Sequence, residues 1–173
     1  MSLVGFTDGS AIGNPGPCGA GAFLYDCTDP DWAGAEAIGA LGPGSNNIGE
    51  LWAVGMAIEL AIRRLGASPR SHTVTHVYIF TDIQYTIGCL TRGWKSASNA
   101  ELVKSVKLTI DSLPPHITFV LQWVPAHVGI PENEQADFLA GLGSSRSQCN
   151  HINVDTCNLG AGFLPPDSND KGT

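Results

Sequence analysis

Four acidic residues occupy positions where they could carry out chemistry together. Asp8 ends a short apolar segment, and Asp82 ends the most hydrophobic segment of the chain. Glu50 lies in the first turn of a mainly apolar helical pattern, and Asp137 lies inside the last helical pattern. Taken singly, an acid at a strand end is more often a turn or cap residue, and an acid in a helix more often faces solvent. The four must therefore be weighed as a group.

Carboxylates that are gathered at one place repel and desolvate one another unless cations join them. Hard divalent ions with oxygen ligands are suitable partners, and Mg²⁺ suits carboxylates combined with substrate phosphates. Two such ions about 4 Å apart can activate a water and stabilise the leaving oxygen in phosphodiester cleavage. The four acids thus indicate metal-dependent phosphoryl chemistry if the fold brings them together, and four unrelated surface acids if it does not.

The segments between these acids predict an alternation of strands and helices. Three consecutive strands suggest an antiparallel meander, and later strands that are each reached through a helix suggest parallel crossovers. Alanines in the third strand segment also permit a helix there. The predicted fold is α/β, with a five-stranded mixed sheet flanked by helices. The predicted strands are 3–8, 18–27, 32–41, 74–81 and 117–124, and helices start near 46, 85, 99 and 132.

The first helix is the clearest element of the pattern. Leu51, Val54 and Ile58 begin a series of apolar residues at three- and four-residue intervals, which predicts one buried helical face. Asn46 or Asn47 can cap its start.

Length and composition indicate one globular domain. The chain has 173 residues, of which 43% are hydrophobic and 14% are charged. We expect a domain over 1–143 and an irregular tail over 144–173. No apolar run reaches the roughly 20 residues that span a bilayer, and the start lacks a signal-peptide pattern, so we expect an intracellular protein without a membrane partner. Five scattered cysteines without a C-x-x-C pair predict free thiols.

Charge is distributed unevenly along the chain. The formal net charge of −7 by itself argues against a nucleic-acid partner. Residues 1–62 carry seven acids and no Lys or Arg, whereas residues 63–107 carry seven Lys or Arg against two acids, a local charge of +5. This basic block is flanked by two acidic blocks. The total therefore excludes only a strong, non-specific binder of nucleic acid.

The segments around the four acids closely resemble type 1 ribonuclease H. The resemblance spans about residues 3–143 in collinear order, and the four motifs together are specific although each one is short. The last motif is also similar to ribonuclease H domains of retrotransposon polyproteins. The matching segments are FTDGS at 6–10 followed by NPG at 14–16, SNNIGEL at 45–51, FTDIQY at 80–85 and WVPAHVGIPENEQAD at 123–137.

The resemblance implies a ribonuclease H-like fold and cleavage of the RNA strand of RNA–DNA hybrids, leaving 3′-hydroxyl and 5′-phosphate ends. By motif, Asp8, Glu50, Asp82 and Asp137 would be the metal-binding carboxylates. Two Mg²⁺ ions are implied, with Mn²⁺ as a substitute. His127 would assist proton movement or product release, which suits a side chain that titrates near neutral pH.

The same resemblance implies contacts to both strands of a hybrid. Asparagines would touch the 2′-hydroxyls in the shallow minor groove, backbone would lie near the scissile phosphate, and two residues would hold a DNA-strand phosphate. In that order, the implied residues are Asn14, Asn46 and Asn47, then Gly9 and Ser10, then Ser45 and Asn99.

Two departures from the family pattern bear on affinity. Ile83 stands where the family commonly has Ser. The extra basic helix that many members carry before the G-W-K segment is absent, because 87–92 leads almost directly into 93–95. We therefore expect weak, strongly salt-sensitive hybrid binding. We also expect a monomer or part of a larger polyprotein.

Three alternatives remain beside the hybrid nuclease. The chain could be a catalytically silent module used for binding, a DNA-strand transferase or exonuclease of the same superfamily, or a plain α/β domain with unrelated acids. The complete set of acids with His127 argues against silence. The Asn46–Asn47 pair and the HVGIPENEQAD ending favour the nuclease.

Overall fold

The computed structural model describes residues 1–149, which form five strands, four α-helices and a short 3₁₀ turn at 71–73. The strands are β1 (Ser2–Ala11), β2 (Gly16–Asp26), β3 (Ala35–Gly44), β4 (His76–Thr81) and β5 (Thr118–Trp123). The helices are α1 (Asn46–Ala67), α2 (Gln84–Thr91), α3 (Ala100–Asp111) and α4 (Pro131–Gln148).

The five strands form one mixed sheet in the order β3-β2-β1-β4-β5. β1 pairs antiparallel with β2 and β2 with β3, whereas β1 pairs parallel with β4 and β4 with β5. This confirms the predicted sheet. The register makes Thr7 of β1 and Thr81 of β4 the last pair between these strands, so Asp8, which continues in β1, and Asp82, which follows β4, lie at the same end of this pairing.

Helices cover both faces of the sheet. α1 packs on one face against β1, β2 and β3, and α3 packs on α1, whereas α4 crosses the other face over the first three strands. The predicted apolar face of α1 is buried, with Leu51, Val54 and Ile58 fully enclosed. No helix within residues 1–149 is long and apolar enough to cross a membrane.

The small residues of β2 allow α4 to lie very close to the sheet. A Cβ atom added at Gly19 would lie 2.1 Å from the backbone nitrogen of Ser144, and one added at Gly143 would lie 2.2 Å from the carbonyl oxygen of Gly39. Backbone therefore packs directly on backbone at this crossing, which only glycine permits.

Helix α4 is longer than the sequence pattern predicts. It was expected to end at Leu142, with an irregular tail from residue 144, but it continues to Gln148, so that expectation is wrong for 144–148. Ser147 explains the extension, because its hydroxyl donates to the Cys18 carbonyl at 2.6 Å and accepts from the Gly42 N–H at 3.1 Å. These contacts override the low helix propensity of the glycine and serine residues. The rest of the expected tail, 150–173, lies outside the described residues.

Two further expectations need correction. Residues Asn46 and Asn47 do not cap α1, because Ser45 is the N-cap residue and Asn46 already lies in the helix. The Asn46 N–H instead donates to the side-chain oxygen of Asn14 at 3.1 Å, so a distant loop supplies this cap. Strand β3 continues to Gly44 and includes Pro43, beyond the predicted end at residue 41. As an edge strand, β3 tolerates a residue that lacks an N–H donor.

An arginine ties α1 to the loop after β2, at the end of β2 remote from Asp8. Arg64 donates to Asp26 at 2.8 Å and to Asp29 at 2.7 Å, and its guanidinium lies 4.3 Å from the Trp32 ring centroid. Burial alone would raise the pKa of Asp26, but hydrogen bonds from Thr28 and Arg64 outweigh it and hold that pKa below its ordinary value. The Asp26 carboxylate is therefore charged and fully paired at neutral pH.

We expect Arg64→Ala to lower the free energy of unfolding by about 3 kcal/mol, because it leaves the buried Asp26 charge without its cation. The measurement is urea unfolding at pH 7, where the interaction with Asp26 is fully present because its lowered pKa lies well below. Arg92→Ala is the control, since Arg92 is exposed, and we expect a change within about 0.5 kcal/mol. Equal losses in the two variants would contradict a specific role for the Arg64 pairs.

Candidate active site

Three of the predicted acids meet at the carboxyl-terminal edge of the two central strands. Asp8 belongs to β1, Asp82 directly follows β4, and Glu50 comes from the first turns of α1. One carboxylate oxygen from each lies within 4.8 Å of the others. The parallel pairing of β1 with β4 and the packing of α1 on β1 together produce this convergence.

The side chain of Glu50 is the most enclosed of the three. It has no exposed surface, and both of its oxygens accept hydrogen bonds. The Gly9 N–H donates to one oxygen at 2.7 Å, and the Thr81 hydroxyl donates to the other at 3.0 Å. Gly9 must be glycine here, because an added Cβ would lie 2.3 Å from the backbone nitrogen of Glu50. The start of α1 is thus pressed directly against β1.

Burial and mutual repulsion disfavour the charged forms of these acids. Burial, reinforced by the charges of Asp82 and Asp137, raises the pKa of Asp8 to about 7, although hydrogen bonding with Glu50 acts in the opposite direction. Burial and the neighbouring Asp8 raise the pKa of Glu50 well above its ordinary value. Burial also raises the pKa of Asp82, against the opposing effect of His127. Within residues 1–149, no Lys or Arg forms an ion pair with any of the three.

Asp137 lies beside this cluster on α4 and belongs to a second group. Its charge contributes to the raised pKa of Asp8, yet its side chain is 45% exposed. The His127 Nδ1 lies 4.0 Å from a carboxylate oxygen of Asp137, and Glu134 completes a group whose ligand atoms all lie within 4.8 Å. Glu134 was not among the predicted residues. Its three-residue spacing from Asp137 on one helix was the signal that could have identified it.

These groups have the chemistry of a divalent cation site. The donors are carboxylate oxygens, which are hard ligands of the kind that Mg²⁺ and Mn²⁺ prefer. These three acids, of which Asp8 and Glu50 are buried and Asp82 is half-buried, carry up to three negative charges with no basic side chain paired to them among the described residues. A cation would offset both the burial and the mutual repulsion that raise their pKa values. The residues present therefore fit a divalent metal.

The side chains of the asparagines and of Ser45, which are implied in substrate binding, fall into two groups. Asn14, Ser45 and Asn46 lie together where the loop between β1 and β2 meets the start of α1, through the bond from Asn46 to Asn14. The side-chain oxygen of Asn46 is buried and has no hydrogen-bond partner among the described residues. Asn47 lies half-buried in the same helical turn. Such an unsatisfied amide calls for an additional donor.

Gly9 and Ser10 lie directly after Asp8 but face existing partners. The Gly9 N–H is shared between Asp8 at 2.9 Å and Glu50 at 2.7 Å, so it supports the acids. The Ser10 hydroxyl lies 3.2 Å from that of Ser144 in α4.

Asn99 belongs to the second group, at the N-cap position of α3. Its amide donates to the Tyr85 hydroxyl at 2.9 Å, and that hydroxyl also bonds to Ser96. Close by in the sequence, Trp94 and the α3 residues Lys104 and Lys107 line a groove of about 530 Å³, together with Lys95, Ser96, Ala97, Ala100, Val103 and Leu108. Three of the seven basic residues of the block, Lys95, Lys104 and Lys107, thus line one groove, whereas Arg64 of the same block is paired with Asp26 and Asp29.

Sequence comparison places these observations among known proteins. The family model described as RNase H matches residues 1–145. Ribonuclease H of Agrobacterium fabrum is 38% identical over 151 residues, covering 80% of this chain and 91% of that protein. Ribonuclease HI of Pseudomonas syringae pv. tomato is 38% identical over 148 residues, covering 80% and 89%.

Structural comparison gives the same fold. An N-terminal RNase H domain from Mycobacterium tuberculosis, solved as a fusion with maltose-binding protein, is similar with a TM-score of 0.69 and 23% identity, over 87% of this chain and 98% of that one. LC11-RNase H1, solved in complex with an RNA/DNA hybrid, is similar with a TM-score of 0.64 and 21% identity, over 84% and 99%.

We expect Asp8→Asn to stabilise the metal-free protein at alkaline pH. Because the pKa of Asp8 is raised to about 7, ionisation of Asp8 lowers the free energy of unfolding. This loss is absent below about pH 4 and grows until the pH exceeds about 7. At about 1.4 kcal/mol per pKa unit, the rise from 3.8 to about 7 corresponds to a gain at pH 8 of about 4 kcal/mol.

Urea unfolding with chelator at pH 8 and at pH 4 measures this gain, which should vanish at the lower pH. Asp31→Asn, which removes an exposed carboxylate, is the matched control and should change little at either pH. A stabilisation of Asp8→Asn that persisted undiminished at pH 4 would show that its origin is not charge.

Proposed function

The chain belongs to the ribonuclease H family, and we propose that it is an endonuclease that hydrolyses the RNA strand of RNA–DNA hybrids, leaving 3′-hydroxyl and 5′-phosphate ends. The observation that carries this proposal is the convergence of Asp8, Glu50 and Asp82 in a fold of this family, without a paired cationic side chain among the described residues. All the acids come from a single chain, so a monomer would suffice.

Divalent metal ions are general in this family, and the proposed resident ions here are two Mg²⁺, for which Mn²⁺ would substitute. Asp8, Glu50 and Asp82 would hold them, with Asp137 as the fourth ligand beside the trio. When bound, the ions activate a water and neutralise the charge that develops on the phosphate and on the leaving oxygen. With four acids compensated in this way, two ions would shift the formal charge of −7 to −3.

The chain's own residues supply the fixed geometry that this chemistry needs. The hydrogen bonds from Gly9 and Thr81 hold both oxygens of Glu50, and the low exposure of Asp8 and Glu50 keeps bulk water away from them. Preorganised groups in a water-poor site contribute more than the same groups would in water. The site is thus assembled before substrate arrives.

We propose that His127 moves a proton or helps the product leave at the exposed side of the site. It lies on the loop between β5 and α4, it is largely solvent-exposed, and its Nδ1 is 4.0 Å from a carboxylate oxygen of Asp137. An imidazole can act as a general acid or base, which supports this role.

Recognition of the hybrid would use the two groups of polar residues on either side of the acids. Asn14, Asn46 and Asn47 would contact the 2′-hydroxyls of the RNA strand, and the buried, unpartnered oxygen of Asn46 supports a ligand there. Ser45, next to Asn46, and Asn99, at the start of the helix that carries Lys104, would hold a phosphate of the DNA strand. Few basic residues take part, so affinity should be modest and sensitive to salt.

We expect the purified protein to cleave the RNA strand of a labelled RNA–DNA hybrid when Mg²⁺ is present. We expect no cleavage of the hybrid in EDTA, and no cleavage of double-stranded RNA or double-stranded DNA. Asp8→Asn should lower the rate by at least about a hundredfold, since it removes a metal ligand. Asp31→Asn should retain the parental rate. Hybrid binding without any metal-dependent cleavage would instead indicate a silent binding module.

We expect Lys104→Ala to weaken hybrid binding and to reduce the slope of log affinity against log salt by about 1, because one phosphate contact is lost. Fluorescence anisotropy with a labelled hybrid in Ca²⁺ or EDTA, at several salt concentrations, measures both quantities. Arg146→Ala removes an exposed charge from the last turn of α4, remote in the fold from α3, and is the control. An unchanged slope for Lys104→Ala would exclude the groove from the binding surface.

A further inference from the structure

A buried threonine hydroxyl connects two of the acids. Thr81 is the last residue of β4 and has no exposed surface. Its hydroxyl donates to a carboxylate oxygen of Glu50 at 3.0 Å and accepts from the backbone N–H of Ile83 at 3.3 Å. Asp82 lies between Thr81 and Ile83 in the sequence. One hydroxyl therefore links the carboxylate of Glu50 to the backbone turn that carries Asp82.

The hydrogen bond from Thr81 restricts rotation of the Glu50 carboxylate. Its other oxygen is held by the Gly9 N–H at 2.7 Å, which by itself leaves the carboxylate plane able to rotate about that contact. With the Thr81 hydroxyl on the second oxygen, the orientation of the carboxylate is fixed at two points. The Glu50 carboxylate is thereby held where its ligand atom lies within 4.8 Å of those of Asp8 and Asp82.

The bond from the Ile83 N–H ties Thr81 to the turn that precedes α2. Ile83 is the N-cap residue of α2, where a hydroxyl or carboxamide normally accepts a hydrogen bond, and it makes no side-chain cap. Its own N–H is satisfied by Thr81. On the other side, the Trp123 indole N–H donates to the Asp82 carbonyl at 2.9 Å. The backbone around Asp82 is therefore fixed from β4 and from β5.

We propose that Thr81 is a positioning residue that sets the metal affinity of the site by holding Glu50 and the Asp82 turn in their ligating arrangement. The inference rests on the proposed function, in that Glu50 and Asp82 bind the metal. Thr81 itself contacts neither metal nor substrate and transfers no proton. Partners of this kind, which orient a ligand, typically change metal affinity by about 10- to 100-fold when they are removed.

The test compares Thr81→Val, which has nearly the same shape without the hydroxyl, with Thr81→Ser, which keeps the hydroxyl and loses the methyl group. Full-length proteins are freed of metal and titrated with Mn²⁺ by isothermal titration calorimetry, and circular dichroism with thermal unfolding verifies that each is folded. We expect Thr81→Val to bind Mn²⁺ about tenfold more weakly than the parent protein. Thr81→Ser should bind within about threefold of it.

Hydrolysis of the hybrid at increasing Mn²⁺ supplies a second measurement. Thr81→Val should require about tenfold more Mn²⁺ for half-maximal rate and should regain most of the parental rate at saturation. Should Thr81→Val not fold, Thr81→Ala removes the hydroxyl without introducing a branched side chain, and the same weakening of Mn²⁺ binding is expected.

The outcomes separate this inference from the proposed function. Parental Mn²⁺ affinity in a folded Thr81→Val or Thr81→Ala protein would overturn the inference alone. Equal losses in Thr81→Ser and Thr81→Val would also overturn it, because they would assign the effect to packing of the methyl group. If the parent protein binds no Mn²⁺, the proposed function fails, and the inference fails with it.

Discussion

The desolvation of Glu50 is the constraint on which the rest of this structure depends. A carboxylate with no exposed surface lies in the apolar helix α1, next to Asp8 and Asp82, and burial raises the pKa of all three. A fold that brings such groups together must recover the free energy elsewhere. The wide apolar core under α1 and the paired charges of Asp26 and Arg64 are the described features that offset it.

Close contacts between backbones make the cluster possible. Gly9 lets the first turns of α1 approach β1, so that Glu50 reaches the Gly9 N–H, and Gly19 lets α4 lie low enough on β2 to bring Asp137 beside Asp8. The parallel register of β1 with β4 supplies the third approach. Each acid thus comes from a different element, and the site exists only when the sheet and both helices are in place.

Local patterns in the sequence predicted much of this arrangement. The strand and helix patterns predicted the mixed sheet, whereas the resemblance of the flanking segments to ribonuclease H singled out Asp8, Glu50 and Asp82. The expectation that Asp8 ends its strand was wrong, because β1 continues to Ala11. Contacts between distant segments were not predictable in the same way. Asn14 capping α1, Thr81 bridging to Glu50, and Ser147 extending α4 all depend on side chains that meet only after folding. Propensity is a local quantity, and tertiary hydrogen bonds override it at these points.

The serine contacts at the end of α4 bear on where this catalytic unit can be divided. Ser144 meets Ser10 of β1, one residue beyond Gly9, and Ser147 bonds to both β2 and β3. A chain that ended at residue 143 would lose these hydrogen bonds and the contact of Ser144 with Gly19 of β2. Residues 144–148 are therefore packed on the sheet as part of the domain and do not form a linker.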